Sequence, residues 1–408
     1  MDYVDLLPGQ RDYLLKFNMK SITGILKSLS LLILLLQVLS ACKKDSDIPE
    51  YLYKTPLSYD DGIETASLIS AGMDSLPVIA MMNYLNSVDG HNIHNILIIK
   101  DNKLVFEEYF EGYALDMNAP GRNGSLMEYN KDTDHFMASV SKSVTSVIFG
   151  IAVKEGYIDD LNLKVIDYFP EYAGILTGGK ADITIANLLT MTCGLTFDEN
   201  SYPYGDTRND VTQLFLQDDP IAFILSKELV STPGTQFFYN SGATNVLAAI
   251  VEKATGEKFL DYANAKLFDT LRSEGGVWSA LNSGLIFASG GLSLKARELS
   301  KIGLLFLNEG MWEGKQIITP EWIALSQEEY IVTHAIFPDT SYGYQWWIIN
   351  YSVKDVSYKC FFAAGWGDQY MFIIPGLEMI VVVNSGNYES IARVSAFNLL
   401  KDYILQAL

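Results

Sequence analysis

Strand-forming segments lie at the two ends of this chain and helical ones fill its middle, and that arrangement constrains the fold more than any other feature. Between Ile93 and Tyr113, ILIIKDNKLVFEEYFEGY reads as two strands around an Asp101-Asn102 turn. Near the C-terminus YGYQWWIIN, CFFAAGW, DQYMFIIPG and LEMIVVVNSG follow one another across turn-length gaps, and a last helix is expected from about 390 to Leu408. From about 157 to 275 the pattern is helical, in NLLTMTCGL, DVTQLFL, AFILSKEL and ATNVLAAIVEKATG, the last closed by Gly256. The simplest assembly is α+β: one central antiparallel sheet built from both termini and flanked by helices, with the middle inserted as a mainly helical lobe. No internal repeat or low-complexity tract interrupts it.

The chain has 408 residues, 49% of them hydrophobic, enough for one large or two moderate domains. Its 29 basic and 49 acidic residues give a formal charge of −20, spread rather than blocked, which argues against nucleic acid and against a polybasic membrane patch. The front of the chain reads as an export address. Ile22 to Ala41 is almost wholly apolar, with Lys20 and Lys27 near its start, and it ends in Leu39-Ser40-Ala41-Cys42 before turning polar at KKDSD. Small residues before a cysteine resemble a bacterial lipoprotein signal over 1–42, with Cys42 lipidated and Met19 better suited than Met1 as the start. An uncleaved membrane-spanning anchor is the alternative. Either way the expectation is an exported, tethered protein of the cell envelope. Residues 43–70, polar and with Pro49 and Pro56, read as a tether, leaving 71–408 as the folded domain. Cys193 and Cys360 either pair in an oxidising compartment or are simply buried.

Ser139-Val140-Ser141-Lys142 sits where a loop becomes a helix. A serine and a lysine three apart share one helix face, so the amine lies within reach of the hydroxyl. In a dry pocket the lysine loses its charge more easily, and the neutral amine can then take the serine's proton. The helix N-terminus favours negative charge developing there. Spacing alone is weak, since roughly one or two such matches arise by chance in a chain this long; a second, Ser40-Ala41-Cys42-Lys43, lies in the leader. The apolar helix pattern after Ser139 separates the two. The plainer reading is a serine N-cap with an ordinary lysine.

Tyr239, within PGTQFFYNSG at 233–242, stands just before another helix and could relay a proton, or act as base and then acid, if a lysine lay beside it; most tyrosines merely pack a loop. The glycines of Ala363-Ala364-Gly365-Trp366-Gly367-Asp368-Gln369, at the entrance of a strand, permit close approach of a backbone N–H to a developing oxyanion, or else mark a tight hairpin. His135 lies four residues before Ser139 and reads as structural. His91, His94 and His334 show no metal-ligand spacing, and no G-x-S-x-G elbow occurs. No metal or cofactor is expected.

Together these three segments resemble the serine β-lactamase and penicillin-binding-protein superfamily, in the branch related to class C β-lactamases that also holds esterases, D-amino-acid peptidases and 6-aminohexanoate-dimer hydrolases. TIANLLTMTCGL at 184–195, ASGGLSLKARELSKIGLLFLNEGMWEGKQII at 288–318, YGYQWW at 342–347 and AAGWGDQYMFIIPGLEMIVVVNSGNY at 363–388 carry the likeness further. The resemblance implies a Ser139 nucleophile, Lys142 as its base, Tyr239 as proton shuttle, and an oxyanion hole from the backbone N–H groups of Ser139 and Gln369. It also implies that Ser241, Trp366, Gly367 and Asp368 touch substrate. Two departures bear on specificity. The β-lactamases of this family carry Tyr-Ser-Asn where this chain has Tyr239-Asn240-Ser241, and Lys-Thr-Gly where it has Trp366-Gly367-Asp368. Loss of the lysine removes a charge-assisted bond to a substrate carboxylate, worth roughly 1.5–3 kcal/mol. The expectation is therefore a serine hydrolase of small esters, amides or peptides with poor β-lactamase activity. Its alternatives are a peptidoglycan D-amino-acid carboxypeptidase and a catalytically silent binding lipoprotein.

Overall fold

The computed structural model describes residues 50–334, 336–389 and 394–408. Its centre is a nine-stranded sheet made of β1 (Glu64–Thr65), β2 (Ile93–Lys100), β3 (Lys103–Tyr109), β4 (Ile331–Thr333), β5 (Thr340–Tyr342), β6 (Trp347–Val353), β7 (Val356–Gly365), β8 (Gln369–Ile374) and β9 (Met379–Ser385). The order across the sheet is β1-β3-β2-β9-β8-β7-β6-β5-β4. Every pairing is antiparallel except the short parallel contact of β1 with β3. N- and C-terminal strands meet at β2–β9, with Leu97 opposite Val382. Asp101 and Asn102 both hold positive φ, of 51° and 59°, which turns the β2–β3 hairpin in the sense that strand twist favours.

Helices cover both faces of the sheet, which explains why its inner strands are apolar along their length instead of alternating. Phe361 meets Phe306 on one face at 5.2 Å between ring centroids, while its neighbour Phe362 meets Phe397 on the other at 5.5 Å. Phe306 belongs to the helix Ala296–Leu307 and Phe397 to the C-terminal helical segment. The helix Ser75–Ser87, which we call α1, packs with that segment through stacked Tyr84 and Tyr403.

The helix Val140–Lys154, α2, is buried over thirteen of its fifteen residues. A helix with no solvent face must satisfy its hydroxyls internally, and it does. Ser143 donates to the Gln345 carbonyl at 2.7 Å, Ser146 to Tyr344 at 2.7 Å, and Thr145 to Ala288 at 2.9 Å. These bonds fix the start of α2 against the segments on either side of it. Close approach elsewhere depends on Gly150, where a Cβ would lie 2.4 Å from the Trp322 ring.

The tether expected over 43–70 does not extend through 51–70. The Tyr51 hydroxyl donates to Glu108, Tyr53 donates to the Val105 carbonyl at 2.8 Å, and Ile63 and Leu68 are buried. The compact unit runs from Tyr51 to Leu408. The leader, with Cys42 and its expected lipidation, lies outside the described residues, as does part of the expected final helix at 390–393. Among the described residues no helix is long and apolar enough to cross a membrane. Cys193 and Cys360 are both buried and free, so the disulfide alternative falls.

Candidate active site

A sharp turn delivers Ser139 to the mouth of α2. Ala138 takes a positive φ of 46°, Ser139 itself is in the right-handed region, and its hydroxyl caps no backbone N–H. The plain N-cap reading therefore does not hold. The turn is closed by bonds from Val140 to the Met137 carbonyl and from Ser141 to the Ala138 carbonyl. One helical turn on, the Lys142 amine lies 2.8 Å from the Ser139 hydroxyl and 2.9 Å from the Ser289 carbonyl. Lys142 is 2% exposed. That burial lowers its pKa to about 8, against the opposing pull of the Glu199 carboxylate. With the amine uncharged, the contact that now runs from nitrogen to hydroxyl can reverse, and the nitrogen accepts the serine proton.

Tyr239 comes to the same place from 100 residues away. The helix Ser241–Thr255, α3, starts beside it, and Asn240 caps that helix by accepting from the Ala243 N–H at 3.0 Å. The tyrosine ring stacks on Trp347 at 5.7 Å, and the Lys142 amine sits 4.8 Å from its centroid. Its hydroxyl shares a side-chain hydrogen bond with Ser139. Burial, with Tyr342 and Glu199 nearby, nevertheless pushes the phenol well above its usual value. Burial thus works against loss of the Tyr239 proton, while it favours the uncharged state of Lys142.

The Gly-rich segment lies against the nucleophile. Gly365, the last residue of β7, abuts the nucleophile: a Cβ there would lie 2.3 Å from the Met137 carbonyl oxygen and 3.2 Å from the Ser139 nitrogen. Gln369 pairs with Gly365 across the hairpin. Its side-chain amide donates to the carbonyls of Trp366, Gly367 and Ser385, at 3.3, 2.9 and 2.7 Å. These bonds brace the turn and hold Gln369 opposite Gly365, beside the turn that carries Ser139. Gly367 and Asp368, at φ 86° and 65°, build that turn, and the Asp368 carboxylate accepts from Asn387 at 3.0 Å. Neither lines the cavity beside Ser139, whereas Trp366 does.

That cavity holds about 390 Å³, and Met117, Phe136, Tyr204, Phe215 and Phe287 are among its walls. No lining residue is charged. Ser241 lines it as well, but its N–H and hydroxyl are bonded to Glu199, a buried carboxylate that the sequence did not single out. Glu199 sits in a loop of turn-forming residues with no spacing that ties it to Tyr239, so nothing local marks it. His135 turns away from Ser139 and bonds to His94 at 2.7 Å. Burial lowers the pKa of His135 to about 4 and of His94 to about 2, which keeps both neutral. Among the described residues no group of side chains could hold a metal ion.

Three comparisons agree on where this geometry belongs. A family model described as Beta-lactamase matches residues 90–387. A 6-aminohexanoate-dimer hydrolase of Paenarthrobacter ureafaciens is 25% identical over 307 residues, spanning 70% of each chain. Among solved structures, a family VIII carboxylesterase aligns at a TM-score of 0.62 and 15% identity, over 87% of this chain and all of that one. A penicillin-binding protein homologue from Pyrococcus abyssi aligns at 0.58 and 20% identity, over 76% and 74%. At such identities the structural likenesses carry the fold alone.

Proposed function

Because the chain belongs to the beta-lactamase family, is a serine hydrolase and is similar in sequence to a 6-aminohexanoate-dimer hydrolase, we propose that it cleaves a neutral ester or amide through an acyl-enzyme on Ser139. The observation that carries this is the 2.8 Å contact between the Ser139 hydroxyl and a buried Lys142 amine. Neutral Lys142 takes the serine proton as Oγ attacks the carbonyl carbon. The oxyanion that forms is met by the Ser139 N–H and by that of Gln369, which pairs with Gly365 beside it. The proton held by Lys142 passes, directly or along the Tyr239 hydroxyl, to the departing alkoxide or amine. Water then attacks the acyl carbonyl, and the same groups return the proton to Ser139.

The uncharged, mainly apolar cavity supports apolar substrates that carry no carboxylate. A β-lactam, or a peptide ending in D-alanine, would bring its carboxylate to a wall without a cation. Efficient β-lactamase and peptidoglycan carboxypeptidase activities are accordingly disfavoured. A silent binding protein would have no use for a buried lysine set against a serine hydroxyl, one carbonyl, a tyrosine ring and one carboxylate. The leader ending in Cys42 supports, in this reading, an exported enzyme held in the cell envelope by a lipid anchor.

A fluorophosphonate probe tests the proposal. The wild type should be labelled and Ser139→Ala should not. Absence of labelling in a folded wild type, or equal labelling of both proteins, would refute it.

A further inference from the structure

Glu199 is 3% exposed and accepts two hydrogen bonds from one residue: the Ser241 N–H at 2.7 Å and the Ser241 hydroxyl at 2.6 Å. A serine hydroxyl has a single proton to give and two lone pairs to offer. With its proton committed to the carboxylate, Ser241 presents only lone pairs to the cavity that it lines beside Ser139. The Glu199 charge also reaches Lys142, Tyr204, Tyr239 and Tyr342; burial raises the Glu199 pKa, and the Lys142 amine and the two Ser241 hydrogen bonds oppose that rise. Ser241 thus offers the cavity a hydrogen-bond acceptor backed by a buried carboxylate, in a wall that also carries the polar side chains of Tyr204, Thr212, Ser279 and Ser289.

We propose that Ser241, polarised by Glu199, accepts a hydrogen bond from a substrate N–H, so that favoured substrates carry an amide or amine N–H beside the bond that is cleaved. The inference rests on acylation of Ser139 and names the substrate class of that site. Its polarity is opposite to that of a side-chain amide, which can donate to a substrate carbonyl. Ser241 makes the contact; Glu199 acts through it as a positioning residue.

Two matched pairs of p-nitrophenyl or alkyl esters test this, differing only by N–H against oxygen. In one pair the group lies in the acyl half (N-acylglycine against O-acylglycolate), in the other in the alcohol half (acetamido against acetoxy). The wild type should prefer the N–H member of at least one pair in kcat/KM, on the order of ten-fold. In Glu199→Gln the new amide can donate to the Ser241 oxygen and free its hydroxyl proton toward the cavity. The preference should then fall to about two-fold or less, or invert. Ser241→Ala removes the acceptor and should abolish it without altering the carboxylate. The readout is a ratio within each protein, so a general loss of activity cancels, and either folded variant suffices. Equal rates in both wild-type pairs, or retention of the preference by a folded variant, would overturn the inference alone. A wild type that cleaves neither ester and fails to label with a fluorophosphonate would overturn the hydrolase reading and this inference with it.

Discussion

Lys142 sits at the centre of the proposed chemistry because its burial sets which state it occupies. The folded protein holds its pKa at about 8, below the ordinary lysine value near 10.4. Acylation needs the uncharged amine, so its rate should rise with pH through about 8 and fall below it. Stopped-flow labelling at pH 6 should run roughly a hundred-fold slower than on the plateau, two pH units being two factors of ten. A rate flat from pH 6 to 9 would contradict this role. Stability follows the same sign: the unfolded chain binds this proton more tightly, so the full cost is present below about 8 and fades as pH rises toward the unfolded value. The Ser139–Lys142 pair was legible because helix geometry ties residues three apart. The state of Tyr239 and the presence of Glu199 were not, because both depend on packing from segments distant in sequence.

At the scale of elements, the site depends on how tightly the end of β7 presses against the turn before α2. Glycines at a strand entrance suggested close backbone approach, and Gly365 supplies it; the register of the hairpin, which sets Gln369 opposite Gly365, is not written in local composition. Gly365→Ala would place a methyl 2.3 Å from the Met137 carbonyl oxygen, so strand and turn must part. The expected result is a fall in kcat of about 10²–10³, the scale of a lost oxyanion donor, with labelling by the probe slowed in parallel. Near wild-type kcat in a folded Gly365→Ala protein would show that this contact does not shape the oxyanion site. Strands with strong alternation or unbroken apolar runs were readable throughout. The Ser241 and Asp368 contacts were not, since each turns on a partner in another segment.

For the whole molecule, the two-ended sheet was legible, because apolar runs bounded by turns occur at both termini and such runs must pair. The entry segment was misread: 51–70 looks like a polar linker, yet its tyrosines and Asp61 find partners 40 residues or more away. Arg297 is the main clasp, bonding Asp61 at 2.6 Å and Glu107 at 2.7 Å with its side chain 5% exposed. Arg297→Ala should cost about 3–5 kcal/mol in denaturant unfolding, because a buried carboxylate loses its counter-charge; a loss under 1 kcal/mol would mean that the segment is held by its tyrosines instead. Above all of this stands the claim that one serine carries the acyl group. Intact-mass and peptide mapping after brief exposure to an activated apolar ester tests it most directly. The account predicts a single acyl adduct on Ser139 that is absent in Lys142→Ala over the same interval; an adduct on another residue, or equal acylation without the lysine, would contradict it.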